Sequence, residues 1–250
     1  MGLYSIPVQQ QVQQTKNSWP RFMEGLASTS QIEQFQRENL TPSGTPTFYT
    51  VASTGGGTAV MASNGTSLLI TSSGAISNDV DVRHEIVFNR VPTWTALDPK
   101  TALSIDVVFV IPTVTTIEGF IGLIFSTTNA ITALPTTVEH MGVFWDISAG
   151  ANFTLSSGNA SAQATTGSGV AVSAATTYRL NIFWNGLNSA ILTLYTGGTT
   201  GIGDALTTPS TQHNVSALNS RNAFKLHFFI QNEATTARTL NISEWLATSS

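Results

Sequence analysis

From Thr47 onward, apolar and polar residues exchange places with a period of two. Leu103, Ile105, Val107, Phe109 and Ile111 alternate with Ser104, Asp106, Val108 and Val110, the pattern of a strand with one strongly buried face. The same rule repeats later. Tyr178, Leu180, Ile182 and Trp184 alternate with Arg179, Asn181 and Asn185, after which 185–188 turns the chain into a strand over Ala190 to Thr196. Phe224, Leu226, Phe228 and Ile230 occupy one face of another strand, with Lys225, His227 and Gln231 on the opposite, polar face. Phe120 to Ser126 is almost wholly apolar, which predicts a central strand covered on both sides. Val51 to Ile70, broken by Gly55, Gly56, Gly57 and the Asn64-Gly65 turn, reads as a hairpin. His84 to Arg90 and Leu240 to Leu246 complete the set.

About a dozen strands with no alternating helices predict an all-β fold, a two-sheet antiparallel sandwich over residues 47–250. Three small-residue-rich connections, Thr127 to Thr137, Ser156 to Ala175 and Gly197 to Ser220, are where such a sandwich would carry recognition.

The first 46 residues follow a different rule. Gln9, Gln10, Gln11, Gln13 and Gln14 form a polar tract without periodicity, which predicts an extended arm. Phe22, Met23 and Leu26 then fall at helical spacing, and Ser30 with Glu33 forms a capping box opening a short helix through Asn39. Leu3, Tyr4, Ile6, Val8, Trp19 and Phe22 are too few for a core of their own. They are the candidate partner-docking residues, on an arm that orders against a partner.

Composition narrows the function. Lys and Arg total 10 against 14 Asp and Glu, a net charge of −4, and no basic run occurs, which excludes a nucleic-acid binder. Only 10% of residues are charged, while 37 Thr and 26 Ser keep the chain wet. Flat, weakly charged β faces of this kind suit large interfaces, because little charge must be desolvated. With no cysteine, disulfides and thiolate zinc sites are excluded. The longest apolar stretch, Val107 to Ile111, is too short for a membrane-spanning helix, and Met1 to Gln14 has no secretory pattern, so synthesis in the cytoplasm is expected.

The runs Met141-Gly-Val-Phe-Trp-Asp-Ile-Ser, Ala151-Asn-Phe-Thr-Leu, Thr177-Tyr-Arg-Leu-Asn-Ile-Phe-Trp-Asn-Gly and Ala190-Ile-Leu-Thr-Leu-Tyr-Thr-Gly-Gly resemble the strand chemistry of the laminin-G or concanavalin A-like jelly roll, over roughly residues 100 to 246. In its cysteine-free, Thr-rich style with a short arm, the chain is also similar to virion proteins of tailed bacteriophages. That second resemblance implies a non-enzymatic capsid decoration or cement protein of the virion. Its expected partners are the major capsid protein or other virion subunits, its expected state a homo-oligomer, by analogy a trimer. The alternative is a carbohydrate-binding module of a tail fibre or host-recognition protein, with a glycan as ligand.

Candidate chemistry is sparse. Glycosidases on this sandwich resemble one another in a strand of alternating carboxylates, and no such E-x-D-x-x-E occurs. Asp79 and Asp81 read as a solvated loop, and Glu139 and Asp146, seven apart, would face opposite sides of one strand. Asp146, Asn152 and Asp204 are the nearest set for calcium, but six oxygens are not assured, so no metal and no cofactor is expected. His84, His140, His213 and His227 have no ligand spacing, and His227, on the polar face of its strand beside Lys225, reads as a surface or interface residue. Gly197 to Gly203 lacks the ending of a phosphate-binding loop. Trp145 and Trp184 read as core, and Trp94, between Pro92 and Pro99, is the candidate for stacking on a sugar.

Overall fold

The computed structural model describes residues 30–34, 49–61, 67–89, 103–125, 128, 130–159, 162–184, 190–196, 208–215 and 223–249. Their strands are β1 (Ser30–Gln34), β2 (Tyr49–Ser53), β3 (Thr58–Met61), β4 (Leu68–Thr71), β5 (Asp79–Asn89), β6 (Leu103–Val110), β7 (Ile117–Phe125) and β8 (His140–Asp146). The second half adds β9 (Asn152–Gly158), β10 (Gln163–Ala171), β11 (Thr177–Trp184), β12 (Ala190–Thr196), β13 (Thr208–Pro209), β14 (His213–Val215), β15 (Ala223–Asn232) and β16 (Thr239–Ser249). They form two antiparallel sheets. A nine-stranded sheet runs β13-β12-β11-β6-β16-β4-β3, with β1 on β16 and β14 on β12, and a seven-stranded sheet runs β10-β9-β8-β7-β15-β5-β2.

The alternating strands build the core between the sheets. Tyr178, Leu180, Ile182 and Trp184 of β11 and Phe224, Leu226, Phe228 and Ile230 of β15 are all buried there. Phe109, Phe153 and Tyr178 pack ring on ring, with centroids 4.7 to 6.0 Å apart, and Trp145 joins Phe153 at 5.7 Å. Trp145 and Trp184 are core residues, as their strand patterns require. The indole N–H of Trp245 on β16 donates to the Tyr49 hydroxyl on β2 at 2.8 Å, a polar tie across the two layers.

The apolar run of β7 is explained by cover on both faces. Ile117, Ile121 and Leu123 enter the main core, while Phe120 and Ile124 point outward into a second cluster with Phe229 and Ile131. Ile131, Leu134 and Val138 belong to the connection between β7 and β8, which folds back across the outer face of the seven-stranded sheet as a strap. The Ile131 N–H donates to Asp81 at 3.0 Å, and Gln231 Nε2 donates to the Thr132 carbonyl at 3.2 Å. Near the return of the strap, Gln163 Nε2 donates to the Pro135 carbonyl at 3.3 Å.

Several sequence expectations are corrected. The capping box at Ser30 and Glu33 does not open a helix: Ser30–Gln34 is a strand, paired from Ser30↔Thr248 to Gln34↔Glu244. β4 covers only the Thr239 to Ile242 part of β16, so the remaining length offers unpaired backbone groups, and filling that lane outweighs a local cap worth about 1 kcal/mol. Residues 35–39 of the expected helix lie outside the described residues.

Asp79 and Asp81 are not a solvated loop. They open β5, eleven residues long, and are buried. His227 is not a surface residue either, because the strap covers its face of β15 and leaves it 0% exposed. Ser156 to Ala175 is no open connection but contains most of the β9–β10 hairpin, and Gly197 to Ser220 holds the short β13 and β14.

Candidate functional site

One end of the seven-stranded sheet brings together three carboxylates. Glu118 on β7 lies directly across from Asp146 on β8, and Glu233 follows the end of β15. Glu233 is fixed by its backbone, whose N–H donates to the Thr116 carbonyl at 3.0 Å. Thr116 itself has φ 55°, left-handed for a residue with a Cβ, a conformation costing about 1 kcal/mol. Arg238 offsets this by donating to the Thr116 hydroxyl at 2.7 Å and to the Thr115 carbonyl at 2.7 Å.

The cluster splits its proton affinities. Burial first, then the Asp146 and Glu233 charges, pushes Glu118 from the usual 4.5 up to about 7. For Asp146, burial acts upward, but hydrogen bonds from the Ser148 hydroxyl and from the Ala149 and Ser148 N–H groups outweigh it and hold the carboxyl below its usual 3.8. Ser148 Oγ sits 2.7 Å from both Asp146 and Glu233, and its single proton serves only one of them. One carboxylate oxygen from each of Glu118, Asp146 and Glu233 lies within 4.8 Å of the others, so the three could give a cation half of the six or more oxygens calcium takes.

A pH test follows. Unfolded Glu118 loses its proton through 4.5 while the folded residue keeps it to about 7, so its contribution to stability falls between those values and is at its lowest above 7. Glu118→Gln is expected to be more stable than the parent at about pH 8, with the difference shrinking toward about pH 5, as read from urea midpoints.

The other end of the same sheet carries a neutral cleft between the tip of the β9–β10 hairpin and β14, lined by the amides of Asn159, Gln163 and Asn214 and by the apolar Ala162, Ala164 and Val215. Asn159 Oδ1 accepts from the Ala162 N–H at 3.0 Å and closes the hairpin. Beneath it, His213 is gripped by two hydroxyls, Ser157 at 2.8 Å on Nε2 and Thr166 at 2.7 Å on Nδ1. Burial lowers the proton affinity of His213, which keeps the floor uncharged near neutral pH.

His140, on the outer face, is likewise held neutral, chiefly by burial. Its Nδ1 lies 2.8 Å from the Val138 carbonyl and so donates, which leaves Nε2 to accept from the Ser156 hydroxyl at 2.8 Å. A hydroxyl on an imidazole nitrogen is the contact serine nucleophiles use, but Ser156 is 0% exposed and cannot meet a substrate. Its role is to accept from Gln163 Nε2 at 3.0 Å and so to position Gln163 at the cleft.

The residues singled out from the sequence are distributed otherwise. Leu3, Tyr4, Ile6, Val8, Trp19 and Phe22, the sugar-stacking candidate Trp94, and Asp204 all lie outside the described residues. Asp146 meets Glu118 and Glu233, while Asn152 is exposed at the start of β9. Glu139 is buried ahead of β8 and does not join Asp146, in keeping with their odd offset. Glu118 and Glu233 escaped sequence reasoning because only strand register places residues so far apart in sequence side by side. The cleft was missed for a related reason: Ser156 to Ala175 read as one loop, so its hairpin and the facing β14 were invisible.

No protein-family model matches the chain, and no curated protein does. Solved structures do. Peanut lectin, in a complex with a nine-residue peptide, matches with a TM-score of 0.59 at 11% identity over 89% of this chain and 97% of its own. Lectin UEA-II complexed with galactose matches with a TM-score of 0.56 at 11% identity over 89% of this chain and 98% of its own. A protein of unknown function from Shewanella oneidensis MR-1 gives 0.59 at 16% identity, covering 100% of this chain and 95% of that one. Together with the two-sheet antiparallel topology, these likenesses establish that the chain has the concanavalin A-like jelly-roll fold of the legume lectins.

Proposed function

We propose that the protein is a non-enzymatic carbohydrate-binding module that takes a neutral sugar at the cleft between the β9–β10 hairpin and β14. The observation that carries this reading is the chemistry of the lining: the amide side chains of Asn159, Gln163 and Asn214 beside the apolar Ala162, Ala164 and Val215, over a histidine kept neutral by burial. Neutral donors and acceptors match sugar hydroxyls without the desolvation cost of charge. The fold supports it, since structural neighbours are named as lectins and one was solved with galactose. Of the arm on which the capsid-decoration reading rested, only Ser30–Gln34 is described, and the fold does not distinguish a virion protein from any other lectin-like protein.

A glycan array followed by calorimetry on the best hit tests this. Asn214 is exposed at the cleft, so Asn214→Ala is expected to weaken binding about tenfold, or about 1.4 kcal/mol, without changing thermal stability. Retention of full affinity by Asn214→Ala and by Asn159→Ala would place the sugar elsewhere, and an array without hits would remove the reading.

A further inference from the structure

β10 is the terminal strand of the seven-stranded sheet, and its two halves are treated differently. The second half is closed: the register to β9 breaks between Gly167 and Ala171, Gly169 takes φ 72°, and the Ser168 carbonyl already accepts from the Thr211 N–H at 3.2 Å. Bulges and covering contacts of this kind are how exposed sheet edges are protected. The first half, Gln163 to Gly167, is regular from Gln163↔Gly158 to Gly167↔Thr154, and Gln163, Ala164, Thr165 and Gly167 are exposed.

The direction of its free backbone groups follows from the hairpin. The Asn159 N–H donates to the Ala162 carbonyl, so that pair is hydrogen-bonded, and alternation along an antiparallel ladder commits Ala164 and Thr166 to β9. The N–H and C=O groups of Gln163, Thr165 and Gly167 therefore point outward and meet no partner among the described residues. No charged residue occurs from Ile147 to Tyr178, so β9, β10 and their flanking loops lack the charges and the proline that normally deter edge pairing.

We propose that Gln163–Gly167 is a dimerisation edge whose occupant is the same segment of a second copy of this chain. Three outward residues at a spacing of two are self-complementary about a twofold axis through Thr165. Thr165 then faces Thr165, and Gln163 faces Gly167 of the second copy, in both directions. Every outward donor finds an outward acceptor, no like charges meet, and facing threonines are a favourable cross-strand pair. Two seven-stranded sheets become one continuous sheet. The result is a dimer in place of the trimer expected from the sequence, with a cleft beside each half of the interface.

The full-length chain tests this without any ligand. Light scattering across the micromolar range is expected to show a dimer, and Thr165→Lys, on an exposed side chain, to weaken it at least about tenfold with unchanged circular dichroism and melting. Because the chain has no cysteine, Thr165→Cys reports the twofold axis directly. A hydrogen-bonded antiparallel pair sets Cα atoms about 5.5 Å apart, within the range a disulfide spans. Mild oxidation is expected to give a covalent dimer from Thr165→Cys and far less from Ala174→Cys, an exposed control site. A chain monomeric throughout, an oligomer indifferent to Thr165→Lys, or equal cross-linking at the two sites would each overturn the proposal.

Discussion

Replacing Gly122 with valine is expected to unfold the sandwich or to remove more than about 3 kcal/mol of its stability, as measured by urea denaturation. Gly122 on β7 and Gly142 on β8 are opposite each other at the centre of the seven-stranded sheet. A Cβ on Gly122 would meet the Met141 carbonyl oxygen at 2.3 Å, the Gly142 Cα at 2.6 Å and the Phe120 ring at 2.8 Å. Two of those three neighbours are backbone, which cannot swing aside as a side-chain tip can, so the strands themselves would have to separate. The Phe120 ring also lies against the matching position of Gly142, and this anchors the outer cluster beneath the strap. Gly150, with nothing within 4 Å of a Cβ, is the control, and Gly150→Ala is expected to change stability by less than about 0.5 kcal/mol.

The second large effect is expected from Asp81→Ala, which should cost about 3 kcal/mol. Asp81 is 1% exposed and lies 3.0 and 3.1 Å from His227 Nδ1 through its two oxygens, while also accepting from the Ile131 N–H at 3.0 Å. Removing the carboxylate strands a fully buried imidazole and a buried amide together. His227 Nε2 has no partner among the described residues, so the ring would then have none there on either nitrogen. Because Ile131 sits in the strap, the loss is expected to be local as well as global: hydrogen exchange of the Ile131 amide should accelerate by more than the change in global stability accounts for. Asp81→Asn keeps one acceptor and should lie between the parent and the alanine variant. Exchange at Ile131 that merely tracks global unfolding would show that Asp81 does not hold the strap.

Both effects bear on where a ligand can bind. The strap occupies the middle of the outer face of the seven-stranded sheet, with Ile131 and Leu134 packed against Phe120 and Phe229. Among the described residues, the two ends of this sheet carry the carboxylates Glu118, Asp146 and Glu233 at one and the neutral cleft at the other. Their electrostatics differ. The carboxylate end changes its proton content around pH 7 through Glu118, whereas the cleft rests on His213, which burial keeps neutral. Binding at the cleft is therefore expected to be insensitive to the titration of Glu118.

The period-two alternation of β6, β11 and β15 determined by itself that this chain is an all-β sandwich, and it placed Phe109, Trp184 and Phe228 in the core, because burial on a strand depends only on which face a residue occupies. The all-apolar run of β7 likewise announced a strand covered on both sides. Tertiary structure alone decided the rest. Whether an outward residue is wet depends on what folds over it, and the strap turned Asp81 and His227 from surface into interior. Whether Ser30 and Glu33 cap a helix or join a sheet depended on the open length of β16, a vacancy no local window contains. The carboxylate cluster and the cleft are products of register and of loop contacts between distant strands, and side-chain periodicity carries no record of which strand lies beside which.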